Sequence, residues 1–144
     1  IHNRTLEGNL TYKDILKVPH LANIVSSVDL SGAELIELLN VIALKEVDSG
    51  AYAQFAGISM IVDRAAKQVK DVKIQGKSLD LNKTYRVSLP SYSAAGGDGY
   101  PKVTDKPSYV NTGFVDAEVL KEYFNKNSPL DAAKFEPKDE IIYR

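Results

Sequence analysis

The chain has 144 residues, 44% of them apolar and 26% charged, with a formal net charge of -1 and no cysteine. That is the size of one domain around one hydrophobic core. The near-neutral balance offers no electrostatic case for binding a nucleic-acid polymer or an anionic membrane surface. Without cysteine there are no disulfides, thiolate nucleophiles or cysteine-bound zinc, a pattern that fits cytosol and periplasm equally.

No apolar run reaches the length that crosses a bilayer, so no membrane span is expected. No signal peptide is visible, and the chain opens at Ile1-His2-Asn3-Arg4 without a start methionine. The expectation is a segment of a longer protein.

In chain order, Thr11-Tyr12-Lys13-Asp14 has capping-box spacing and predicts a short helix through about Lys17, ended by Pro19. Ile24, Val28 and Leu30 share one face at period two, which predicts a strand over 24–30. Ser31-Gly32-Ala33-Glu34 is a second capping box. It opens a helix whose apolar set Leu35, Leu38, Leu39 and Ile42 runs to about Lys45. Residues 48–57 hold two glycines and mixed polarity and predict a loop.

Strands are expected at Ile58–Val62, at Asp71–Ile74 with a turn at Gln75-Gly76-Lys77, and at Tyr85–Leu89, stopped by Pro90. Asp116–Lys126 predicts an amphipathic helix with Val115, Val119, Leu120 and Tyr123 inward and its charged residues solvated; Pro129 ends it. A last strand is expected over 140–143. Short helices alternating with strands, several joined by tight turns, predict an α/β (α+β) domain in which a mixed sheet carries packed helices.

Three of the nine glycines fall within Gly96–Gly99, directly after a predicted strand. Glycines gather where backbone takes positive φ or where a ligand comes close to the main chain. One carboxylate, Asp98, lies among them, with Tyr92 and Tyr100 on either side. A carboxylate only accepts hydrogen bonds, and its two oxygens suit a vicinal diol such as a ribose, while a nearby ring offers a flat face to a base. Gly-Gly-Asp-Gly alone is more often a tight turn than a binding site. The loop is neither a P-loop nor a Rossmann fingerprint.

Elsewhere the chemistry is sparse. His2 and His20 are the only histidines, and no spacing resembles a metal site. No nucleophile-elbow motif supports a serine hydrolase. Tyr12, Tyr123 and Phe55 read as core residues.

Read with its neighbours, the loop changes weight. Gly-Gly-Asp-Gly-Tyr-Pro at 96–101, with an aromatic at Tyr92 six positions before Asp98, resembles the signature of the 5'-nucleotidase C-terminal domain. Stretches 8–14, 48–55, 83–86 and 109–120 agree in the same register, so the resemblance runs from about Gly8 to the end. Within that family the likeness is to bacterial periplasmic 5'-nucleotidase/UDP-sugar hydrolases.

The resemblance implies a substrate-binding domain, lacking its first elements, whose parent also carries an N-terminal metallophosphatase domain with two divalent metal ions. The implied partners are a nucleotide or nucleoside and that N-terminal domain, and the implied setting is periplasmic or secreted. The implied reaction is attack of a metal-activated water on phosphate, so the isolated chain is expected to bind but not hydrolyse.

Residue by residue, the resemblance makes Tyr92 a base-stacking ring, Asp98 the ribose ligand and Asn23 the reader of the base edge. Gly50 becomes a glycine whose backbone lies against the base, and Gly97 belongs to the same loop. The family's Pro-Phe-x-Asn appears here as His20-Leu21-Ala22-Asn23, so Leu21 replaces a second stacking ring. An aliphatic wall gives less than the roughly 1–3 kcal/mol of aromatic stacking. At the position of a phosphate-binding arginine stands His2, with Arg4 out of register. A reading of another class stays open: a non-catalytic nucleoside-binding, dimerisation or interaction module with a decayed pocket.

Overall fold

A computed structural model describes residues 7–17 and 23–144. Helix α1 (Tyr12–Ile15) starts from Thr11, whose side chain accepts from the Asp14 amide while the Asp14 carboxylate answers at the Thr11 amide. Strand β1 (Ile24–Ser31) buries Ser26, Val28 and Leu30 on one face. It runs directly into helix α2 (Gly32–Ile42), capped reciprocally by Ser31 and Glu34. The turn-by-turn stripe Leu35, Leu38, Leu39 and Ile42 is buried as its spacing predicts, although the helix stops three residues short of Lys45. Each such buried leucine contributes about 1.5–3 kcal/mol of transfer free energy.

The loop over 48–57 leads to β2 (Ile58–Asp63), β3 (Gln68–Ile74) and the two-residue β4 (Lys77–Ser78). Gln75 and Gly76 both take positive φ between β3 and β4, as a tight hairpin turn requires. Strand β5 (Thr84–Pro90) is followed at once by the one-turn helix α3 (Ser91–Ala94), which the sequence did not announce. Beyond the glycine-rich segment come β6 (Val110–Val115), α4 (Asp116–Asn127) and β7 (Ile141–Tyr143).

The strands form two sheets rather than one. The first has order β5-β1-β6, all antiparallel, and the second has order β4-β3-β2-β7, mixed because β7 runs parallel to β2. Side chains of β1, α2, β2 and β3 make a single core, joined by Ala94 and Val103.

Two expectations are corrected. On α4 the inward residues are Ala117, Leu120 and Phe124, whereas Val119 and Tyr123 are exposed. The helix is therefore rotated by about one residue, roughly 100°, from the face its apolar spacing suggested. Tyr12 and Tyr123 are surface residues, not core: the Tyr12 hydroxyl donates to Glu118 at 3.0 Å, and Tyr123 meets Phe135 edge-on at 6.4 Å.

Candidate functional site

A cavity of about 780 Å³ opens between the two sheets, with the apolar stripe of α2 as its floor. It follows the inward face of β5 from Pro90 back to Tyr85, about 16 Å at the rise of a strand. Its apolar end is lined by Phe55, Ile58, Ile74, Tyr85 and Val87. Its polar end is built by two loops, the short helix α3 and a strand start, and there the sequence candidates Asn23, Gly50, Tyr92 and Asp98 meet.

Asn23 reaches this end from the residue before β1, where its carbonyl accepts from the Asp116 amide at 2.9 Å. Gly50 arrives on the loop after α2. Tyr92 sits in α3 and Asp98 in the glycine-rich segment. Asn23, Gly50, Tyr92 and Asp98 all line the one cavity. Leu21, His20, His2, Arg4 and Pro19 lie outside the described residues.

The glycine-rich segment explains its own composition. Gly96 and Gly99 take φ of 97° and 72°, and between them Asp98 also lies in the left-handed region at φ 56°. Aspartate tolerates that conformation better than most residues because its short polar side chain bonds locally. Gly97 serves a different purpose. A Cβ there would stand 2.4 Å from Tyr92 Cε1 and 2.6 Å from two further ring carbons, so the ring lies directly on the bare Gly97 backbone. From that seat the Tyr92 hydroxyl donates to Asp98 Oδ1 at 3.3 Å. Ring and carboxylate thus form one unit, and the carboxylate keeps acceptor capacity for a ligand diol.

Further residues complete the site, and of these Lys45 and Tyr52 were not singled out in the sequence. The Tyr100 hydroxyl donates to the Ala51 carbonyl at 2.9 Å, and Lys45 Nζ donates to the Gly99 carbonyl at 3.3 Å. Burial first, and then the Asp98 charge, push the Tyr100 phenol up from its ordinary 10.0, which keeps it a donor. Tyr52 lines the cavity, and its hydroxyl lies 2.8 Å from that of Tyr143 on β7. Phe55, read as core, is half-buried against the core and also lines the cavity. Phe55 carried a sequence signal as an aromatic at a loop's end, and Tyr100 as the ring beside the glycines. The pairings of Tyr52 and Tyr100 are non-local and left none.

Among the described residues no three His, Asp or Glu side chains gather into a metal site. Nor is any helix among them long and apolar enough to cross a membrane.

The model of the 5'-nucleotidase C-terminal domain family matches residues 1–105. Over 137 residues the chain is 62% identical to a 5'-nucleotidase of Vibrio cholerae serotype O1, covering 95% of this chain and 24% of that protein. It is 56% identical, with the same coverage, to Protein UshA of Yersinia enterocolitica. Among solved structures it is similar to a 5'-nucleotidase precursor from Thermus thermophilus, with a TM-score of 0.79 at 26% identity over 93% of this chain and 28% of that one. The chain spans about a quarter of the length of these curated relatives.

Proposed function

The chain belongs to the 5'-nucleotidase C-terminal domain family, and we propose that it is the substrate-binding domain of a two-domain, metal-dependent nucleotidase/UDP-sugar hydrolase. The observation that carries this reading is the meeting of a ring, a carboxylate, an amide and a glycine backbone at one end of one cavity. The base lies on Tyr92, with the backbone at Gly50 beside it and the Asn23 amide at its edge. Asp98 accepts from the ribose hydroxyls.

Two divalent ions are part of the proposed reading. They belong with the N-terminal metallophosphatase domain, and this chain's own work is to bind and orient the nucleotide. Orientation of this kind lowers a barrier by removing rotational and translational freedom before the chemical step. The two curated relatives named above are bacterial, and the working place proposed for the parent protein is the periplasm or cell exterior.

Calorimetry with adenosine and uridine tests the reading, and Asp98→Asn is the informative variant. Alanine at φ 56° would add backbone strain to the loss of charge, whereas asparagine tolerates that region and halves the acceptor capacity. A hydrogen bond to a charged group is worth about 1.5–3 kcal/mol, so affinity should fall roughly tenfold or more. An unchanged dissociation constant refutes the ribose assignment. No heat from either nucleoside at millimolar protein favours the interaction-module reading, and phosphatase activity in the purified chain would show the chemistry to be misplaced.

A further inference from the structure

The loop over 48–57 forms one wall of the cavity at Gly50, Tyr52 and Ala53, yet it has no strand or helix of its own. Two phenols hold it. From the glycine-rich side, the half-buried Tyr100 reaches across to the Ala51 carbonyl at 2.9 Å. From the other side, Tyr143 on β7 meets the Tyr52 hydroxyl at 2.8 Å, with the Arg64 guanidinium 4.9 Å from the Tyr143 ring centroid. β7 itself is fixed by its parallel pairing with β2. Adjacent residues of the loop are therefore tied in opposite directions, one to the segment that carries Asp98 and one to the far sheet.

We propose that Tyr100 and Tyr143 are positioning residues that set the width of the base slot, by fixing the Ala51–Tyr52 corner and with it Gly50. This rests on the nucleoside reading of the cavity. A base is a flat plate, and a widening of about 0.5–1 Å already forfeits roughly a quarter to a half of its contact energy. A wall of irregular backbone keeps such a tolerance only when its polar groups are bonded to rigid neighbours. Lys45, bonded to the Gly99 carbonyl, steadies the other half of the same junction.

The test uses the 144-residue chain with Tyr100→Phe, Tyr143→Phe and the double variant. Each phenylalanine keeps the packed ring and removes one hydroxyl. Adenosine titration by calorimetry is paired with 15N relaxation of the ligand-free proteins. Tyr100→Phe should weaken adenosine about fivefold, the share of one ordinary hydrogen bond. Tyr143→Phe should weaken it less, since it acts through Tyr52. In the double variant the order parameters of Gly50, Ala51 and Tyr52 should fall from the rigid range near about 0.85 towards about 0.6.

Unchanged order parameters in the double variant overturn the clamp. Loosened amides with an unchanged adenosine constant overturn its positioning role. A lower unfolding temperature with neither change marks the phenols as merely structural. If the parent chain itself binds no nucleoside, the nucleoside reading fails, and the relaxation data alone then decide whether the phenols hold the cavity wall.

Discussion

The seat of the Tyr92 ring is the sharpest point on which the binding reading can be broken. Gly97→Ala places a methyl 2.4 Å from Tyr92 Cε1, whereas non-bonded carbons rest at about 3.5–4.0 Å. The ring must retreat by about 1 Å. It can do so, because it is 48% exposed and tethered by one long hydrogen bond to Asp98. The backbone has no quarrel with alanine, since Gly97, unlike Gly96 and Gly99, is not among the positive-φ residues. The fold should survive with an unfolding free energy changed by less than about 1 kcal/mol, while the base platform tilts and Asp98 loses its phenol partner. Base–aromatic stacking is worth about 1–3 kcal/mol, and a displaced ring keeps part of it, so nucleoside affinity should fall roughly five- to tenfold. Calorimetry with adenosine and uridine, beside thermal unfolding, reads both quantities. Tyr92→Phe, which keeps the ring, should change binding less than Gly97→Ala. A wild-type dissociation constant in Gly97→Ala would refute the assignment of Tyr92 as platform; a collapsed fold would refute the claim that the ring is free to move.

The remaining predictions concern stability. Gly32→Ala drives a methyl to 2.0 Å from the Asp80 carbonyl oxygen, where the obstacle is backbone already bonded to the start of α2 through Gly32 and Ala33. Its cost should reach the upper part of the overpacking range, about 2–3 kcal/mol in urea unfolding, and a loss under about 0.5 kcal/mol would mean that the Asp80–Leu81 turn yields freely. Glu34 is held down to about 2 from its ordinary 4.5, first by the Lys106 ammonium and then by the Ser31 amide. Its folded pKa lies below the unfolded one, so its stabilisation is complete above about pH 4.5 and is lost as the pH falls towards about 2. Asp14, the matching acid of the first capping box, is likewise held to about 2, chiefly by the Thr11 amide. Glu34→Gln should flatten part of the acid limb of the stability curve, and an unaltered limb would show that Glu34 does not couple to folding.

What could be read from the chain divides along the reach of the interactions. Both capping boxes, the buried stripe of α2 and the inward face of β1 are decided within a few residues, and they stand where their spacing placed them. Strand β6 escaped because its alternation is broken. Between Ile24 and Ser26 of β1 the partner residue moves from Val115 to Asn111, around Gly113 at φ 73°, and a bulged strand loses its period. The face of α4 was misjudged because its neighbours are α1 and β6, and packing decided which shallow apolar stripe turned inward. The separation into two sheets rests on β1 pairing with the distant β5 and β6 while β2 pairs with β3 and β7, and no local pattern announces the long-range partners. The site shows the same division more sharply. Asp98 and Tyr92 lie six residues apart and meet through local backbone, so their chemistry was legible in the loop. Tyr100 and Ala51 are 49 residues apart, and Tyr52 and Tyr143 are 91 apart. The groups proposed to touch a nucleoside can thus be named from a motif, whereas the phenols that tie the neighbouring loop find partners only the folded chain reveals. Under the proposed clamp, two chains sharing Tyr92 and the Gly-Gly-Asp-Gly run but differing at Tyr100 or Tyr143 should differ in affinity while keeping the same contacts.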